Sequence, residues 1–333
     1  MSEIPEFSGL LVIPRLGIQN ANAISSPMTW GFPSMTAFLG LMWALERKLC
    51  RIDPEFKLIF KAVGVVCHRF EPQVSGRRSI RRFSLTRNPL EKDGGTASIV
   101  EEGRAHLDLT LIFGVDGAFV VSSEEERKKI ARDIGEMIGM MRIAGGTVVS
   151  GPDRPPSLFP VSEDFEARRV DFMRLRRHWL PGFSLISRDD LLQERFAEMR
   201  QENPDTTILD AWMDLSRNNV RAIIKKKGEG DESKESVDWV SSRQKGKGWL
   251  VPIPIGYGSL SDLYPAGSVA DTRDRTTPVR FVESAYSIGE WIGPHHLSDV
   301  RDLLWYGHHD ARSGLYRCVN GYSVAQKSKN KGE

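Results

Sequence analysis

The apolar run Leu10-Leu11-Val12-Ile13 predicts a buried strand. Arg15–Ser34 then reads RLGIQNANAISSPMTWGFPS, a polar stretch expected to form a loop, before the helix 35–49. That helix carries Phe38, Leu39, Met42, Leu45 and Leu49 at helical spacing behind Ser34 as cap. Strands are predicted at 56–70 and, with clean alternation, at 102–114. Between them 76–88 alternates in part and reads as a strand or hairpin arm, with turns at Asn88-Pro89 and Asp93-Gly94-Gly95. A helix at 124–141 has Ser122 or Ser123 as cap, glutamates in its first turn, and Ile130, Ile134, Met137, Ile138 and Met141 as its stripe. Residues 142–149 follow as a glycine pair leading into a strand. The order β-α-β-β-α-β, with one extra strand, is the split βαβ, ferredoxin-like pattern that RNA-recognition modules also use. The usual aromatic motifs of such modules are absent.

Downstream, 151–165 is Pro-rich, 166–178 is a basic helix, and Pro181-Gly182 breaks it. A short strand at 183–187 and amphipathic helices at 188–201 and 206–218 are expected. Residues 225–248 are poor in apolar side chains and read as a mobile loop. Order resumes at Trp249, with turns over 257–265, loop then strand over 273–283, helical pieces over 288–305 and a Lys-rich tail from Ala325. The expected division is a core over 1–155, a helical insertion over 156–222, a flexible loop over 223–248 and a β-rich segment over 249–333. The fold class is α+β.

With 333 residues and a net charge of only +2, any electrostatic signal has to be local. It is densest between Arg69 and Arg87, where Arg69, Arg77, Arg78, Arg81, Arg82 and Arg87 face one acid, Glu71. Arginine grips phosphate with a fork of donors and stacks on bases, so this arm reads as anion-binding; a solvated face or an acidic protein partner is the alternative. In the polar stretch, Gln19, Asn20, Asn22, Ser25 and Ser26 can reach base edges, and Trp30 and Phe32 can stack. The competing reading is a long loop pinned by its own Asn and Ser side chains. Gly145-Gly146 lacks the spacing of a nucleotide site and fits either close approach to RNA or a helix C-cap.

Three widely spaced cysteines, Cys50, Cys67 and Cys318, form no disulfide framework or CxxC pair, as expected in a reducing cytoplasm. The acidic start MSEIPEF is not expected to be a signal peptide, and no apolar run approaches the roughly 20 residues of a membrane helix. The paired histidines 295–296 and 308–309 have no carboxylate or cysteine at ligand spacing, so neither metal nor cofactor is expected. His68 and His106 are candidates for a structural or phosphate-contacting role, or for the general base of a nuclease.

Ten stretches then fall in order: RLGIQNANAISSPMTWGFPS, VGVVCHRFEPQ, LTRNPL, EEGRAHLDL, RIAGG, LPGF, GWLVPIPIGY, TPVRFVE, GEW and DLLWY. Together they resemble the second subunit of the Csy complex, the type I-F CRISPR surveillance complex of bacteria. The resemblance implies a non-catalytic RAMP protein with a ferredoxin-like core that caps the 5′ handle of the crRNA. It implies pairing with the large first subunit, contact with the first backbone-filament subunit, and meeting target DNA only through the assembled complex. On this reading the RNA-contacting residues are Arg15, Gln19, Asn20, Asn22, Ser25, Ser26, Trp30, Phe32, His68, Arg69, Arg77, Arg78, Arg81, Arg82, Arg87, Asn88, Arg104, His106, Arg142, Gly145, Gly146, Arg273, Arg275 and Arg280. Two departures stand out. The Gly-rich loop of many RAMP proteins is reduced to Gly145-Gly146, and 225–247 follows no family pattern. The alternative is an endoribonuclease of the same superfamily that processes repeat RNA through His68 or His106.

Overall fold

The computed structural model describes residues 5–76, 80–84, 90–91, 93–96, 102–218, 220–227, 234–241, 248–272 and 274–322. The first half runs β1 (Gly9–Asn22), α1 (Met35–Ile52), β2 (Leu58–Pro72), the short pair β3 (Val74–Ser75) and β4 (Arg82–Phe83), β5 (Arg104–Gly117), α2 (Glu124–Gly139), β6 (Arg142–Ile143), β7 (Gly146–Ser150) and β8 (Ser157–Pro160). The second runs α3 (Phe165–Leu175), β9 (Phe183–Ser187), α4 (Asp189–Glu202), α5 (Ile208–Ser216), β10 (Val220–Lys227), β11 (Lys234–Ser241), β12 (Trp249–Ser259), β13 (Val282–Ile292), β14 (Trp305–Asp310) and β15 (Leu315–Asn320). The fold is α+β around one large antiparallel sheet.

Four strands lie in the order β2-β5-β1-β7, all neighbours antiparallel. α1 and α2 cover one face. Leu11, Ile13, Leu109, Leu111 and Phe113 project into the same apolar cluster as Phe38, Leu45, Ile134 and Ile138. The strands' alternate residues, Leu10, Val12 and Ile112, pack on the opposite face with Phe172, Trp179 and Leu303. Both helices start where the caps predict. Ser34 Oγ accepts from Thr36 N, and Ser123 with Glu126 completes a capping box.

The sheet then curls back on itself. Beyond β2 follow β9, β13, β12, β15 and β14, and β14 returns to the same edge of β2 where Trp305 pairs with Val63. Leu185, Ile253, Ile255, Trp305 and Cys318 extend the main core into this ring. Trp305 is fully buried, and its indole N–H donates to Leu185 O at 2.8 Å. Burial pushes the Cys67 and Cys318 thiols up to about 12, so both stay protonated.

Several expectations need correcting. Arg15–Asn22 is not loop but the second half of β1, which keeps its ladder by bulging between Ile13 and Leu16 and again between Ile18 and Ala21. Each bulge turns one residue to positive φ, Arg15 at 51° and Asn20 at 59°, while Leu16, Ile18 and Ala21 stay buried. Residues 225–248 do not form a loop throughout, because β10 and β11 pair as an antiparallel ribbon. Residues 288–292 belong to strand β13, and the helical pieces after it are single 3₁₀ turns. The glycine pair does not cap α2. Ala144 (φ 48°) and Gly145 (φ 79°) form the two-residue turn of the β6–β7 hairpin. Gly146 lies in β7, where a Cβ would come within 2.7 Å of Gln19 O.

Candidate nucleic-acid interface

Alternation on β5 sets up a polar surface. Ala105, Leu107 and Leu109 point to the helices, so Arg104, His106, Asp108 and Thr110 face the other way. Register places Arg69 opposite Asp108 and Glu71 opposite His106 from β2, and Gly17 opposite Asp108 from β1. The bulge at Arg15 aims that side chain along the same surface, where Nη1 meets Asp108 Oδ2 at 2.9 Å.

One hydrogen-bonded chain crosses all three strands. Arg15 N–H donates to Thr110 Oγ1 at 3.2 Å, and Thr110 lies 2.8 Å from His68 Nε2. His68 Nδ1 is 2.7 Å from the carbonyl of Pro181. A carbonyl only accepts, so Nδ1 carries the hydrogen and Nε2 accepts from the Thr110 hydroxyl. Burial lowers the His68 pKa and Arg15 adds to the effect, against the opposing pull of the Pro181 carbonyl and of Asp108 and Asp153. His68 is therefore neutral near pH 7.

A second cluster lies alongside. The Gln73 amide donates to Asn20 Oδ1 and approaches His106 Nε2 at 3.2 Å. Gln73 was not among the sequence candidates. Its place follows from Gln73 N–H bonding Arg104 O just past the end of β2, a register no local pattern reveals. Among the described residues, buried Nδ1 of His106 and Oδ1 of Asp108 have no hydrogen-bond partner. Both are polar atoms on a surface otherwise built of paired groups. Arg69 is exposed and pairs with Glu71.

The remaining candidates divide. Asn22 closes a local turn with both backbone groups of Ile24, Ser25 Oγ accepts from Ser34 N, and Ser26 and Thr29 hydroxyls bond each other at 2.6 Å. These side chains pin the segment to itself. Phe32 stacks on Phe38 at 5.6 Å and meets Trp291 edge-on at 5.0 Å, so it supports the core. Trp30 remains 66 % exposed, with Phe83 on its edge. Gln19 is exposed on β1. Arg104, Arg142, Gly145 and Asn22 border a hollow of about 680 Å³ against Ala37, Gly40 and Ala44 of α1. Gly146 is buried in β7. Arg81 and Arg82 are exposed at the short β3–β4 ladder. Arg275 and Arg280 lie in the β12–β13 connection. Arg77, Arg78, Arg87, Asn88 and Arg273 lie outside the described residues. Among the described residues no group of three or more His, Cys, Asp or Glu side chains is arranged to hold a metal, and no helix is long and apolar enough to cross a membrane.

Comparison with known proteins gives this surface its context. Residues 11–318 match the family model of the CRISPR-associated protein Cas_Csy2. The chain is 46% identical over 316 residues to the CRISPR-associated protein Csy2 of Pseudomonas aeruginosa (strain UCBPP-PA14), which covers 92% of this chain and 94% of that protein. The match spans the sheet, the polar surface and the closing ring, and so the chain belongs to the Csy2 family of CRISPR-associated proteins, second subunits of the type I-F Csy complex of antiviral defence.

Proposed function

We propose that the protein is a non-catalytic, cytoplasmic subunit that binds the 5′ handle of the crRNA. In this reading it pairs with the large first subunit at the tail of the complex, touches the first backbone-filament subunit, and reaches target DNA only through the assembly. The core is read as ferredoxin-like, because β2-β5-β1-β7 with α1 and α2 on one face follows the order of the split βαβ motif. The observation that carries the proposal is the opposite face of that core. Arg15, Asn20, Arg69, Gln73 and His106 lie there, offering guanidinium groups for phosphates and amide and imidazole groups for base edges, and Arg104, paired with Glu102, sits at the margin beside Gly145. Arg81, Arg82 and Arg142 extend the cationic path at its margins.

The test is binding of labelled handle RNA to the chain paired with its partner subunit, across a salt series. Arg69→Gln with Arg104→Gln should weaken all RNAs alike and reduce the log–log salt slope by about 0.7 for each phosphate no longer neutralised. Asn20→Ala with Gln73→Ala should instead lose discrimination between handle and scrambled RNA. Unchanged slope and unchanged discrimination together would sink the assignment of this face. Specific cleavage of repeat RNA that disappears in His106→Ala would sink the non-catalytic reading.

A further inference from the structure

The segment Met28–Phe32, the start of β9, the last turn of α5, and strands β12 and β13 enclose a groove of about 790 Å³. Ring and thioether side chains dominate it, with Arg69 and Arg217 as its cations; among the described residues no lysine, aspartate or glutamate lines it. Much of this apolar surface is open: Trp30 is 66 %, Trp249 57 %, Met28 51 % and Met213 46 % exposed. Enrichment in Trp, Met and Arg with depletion of Lys, Asp and Glu is the composition of the buried centre of a protein–protein interface. A groove for single-stranded RNA would pair its rings with several cations along the backbone. Here Arg69 already pairs with Glu71, both ring nitrogens of His68 are bonded, and the Ser216 hydroxyl donates to Trp212 O.

A second feature springs from the same rim. α5 ends at Ser216, the chain passes Arg217 into the β10–β11 ribbon, and it returns at Trp249; all three residues line the groove. The ribbon's register sets Ala222 opposite Trp239 and Ile224 opposite Val237, so these four share one face. Ile224, Val237 and Trp239 are 61 %, 50 % and 70 % exposed. A two-stranded ribbon is marginal in water on its own, and an apolar face of this kind needs cover. The exposed Arg217 and Arg221 make the junction between groove and ribbon cationic.

We propose that groove and ribbon form one docking surface for a partner protein of the complex. The partner presents an amphipathic segment with aliphatic or aromatic anchors for the groove and flanking carboxylates for Arg217 and Arg221. The inference rests on the reading of the chain as a complex subunit and not on its RNA contacts.

The test places a photo-crosslinking residue, Met213→p-benzoylphenylalanine, in the full chain within the assembled complex. A ribonuclease-resistant adduct to a co-assembled polypeptide, mapped to a segment with apolar anchors and neighbouring carboxylates, is the expected result. An adduct that ribonuclease removes, or no macromolecular adduct, overturns the proposal. Met28→Gln with Met213→Gln alters two exposed positions and should weaken partner binding about tenfold or more without lowering the chain's own melting temperature. Unchanged partner affinity also overturns it. The salt slope of RNA binding responds to the sheet-face arginines, which the two methionine changes leave in place, so the two readings fail separately.

Discussion

Arg188 offers the sharpest test of how the helical layer is held. Its Nε and Nη2 donate to the Asp190 carboxylate at 3.0 and 2.8 Å, and Nη1 pairs with Glu290. The arginine side chain is 17 % exposed and each acid 12 %. Burial alone would favour loss of the proton, yet the two carboxylates outweigh it and hold the guanidinium above its ordinary value. Asp189 extends the network to Arg317 and Ser287. These contacts fasten α4, and with it α5, to β13. Arg188→Met keeps the stem and removes the cation, leaving Asp190 and Glu290 without their counter-charge. Breaking a fully buried pair costs about 3–5 kcal/mol. Water still reaches these side chains, so we expect about 2–4 kcal/mol. Urea unfolding followed by tryptophan fluorescence should show the midpoint lowered by about 1 M with an unchanged slope. The triple change Arg188→Met, Asp190→Asn, Glu290→Gln removes the stranded charges and should recover most of the stability. A single variant within about 0.5 kcal/mol of wild type, or a triple no better than the single, would refute the reasoning.

Two further predictions concern a histidine and a turn. His68 has its folded pKa below the unfolded value of 6.5, so on acidification the unfolded chain takes up a proton that the folded chain resists; stability should fall below about pH 6.5 and be indifferent above it. His68→Asn preserves an N–H for the Pro181 carbonyl and should flatten the fall in melting temperature between pH 7.5 and 5.5, whereas parallel curves would contradict the assignment. In the β6–β7 turn, Gly145→Val forces a branched side chain into φ 79° and should cost about 1–2 kcal/mol, while Ala144→Gly at φ 48° should be neutral or stabilising; equal unfolding midpoints for the two variants would show that the turn tolerates strain.

What the sequence reveals, and what it conceals, depends on the range of the interactions involved. α1 and α2 are legible because their stripes and the caps at Ser34 and Ser123 are local. β5 is legible from its alternation. The second half of β1 is read as loop because Gln19, Asn20 and Asn22 suggest one, although Leu16, Ile18 and Ala21 keep the inward positions. Bulges make those facts compatible by adding residues that a period-two template cannot accommodate. β10 and β11 are hidden by their lysines and acids, which mask the short apolar sets Ala222 and Ile224 against Val237 and Trp239. The ring closed by β14 on β2 rests on a single pairing across some 240 residues, Trp305 with Val63, for which no local signal exists. Gln73 is concealed for the same reason, since its partners Asn20 and His106 sit on other strands.

The two histidines that could have supported a nuclease are spent differently from what general-base catalysis needs. A base must offer an open nitrogen lone pair to the proton it removes. The acceptor nitrogen of His68 is filled by the Thr110 hydroxyl, whose oxygen is itself held by Arg15 N–H. Its other nitrogen donates to Pro181 O, so the ring is clamped from both sides and pressed toward neutrality by burial. On His106 it is Nε2 that meets the Gln73 amide, leaving the hydrogen on Nδ1, a buried donor without a partner among the described residues. Both tautomers are thus fixed by neighbours from different strands: His68 braces the surface, and His106 keeps a buried N–H behind the Asn20–Gln73 pair. On the function proposed above, this arrangement suits recognition rather than cleavage: the sheet face combines paired cations with a few unsatisfied polar atoms.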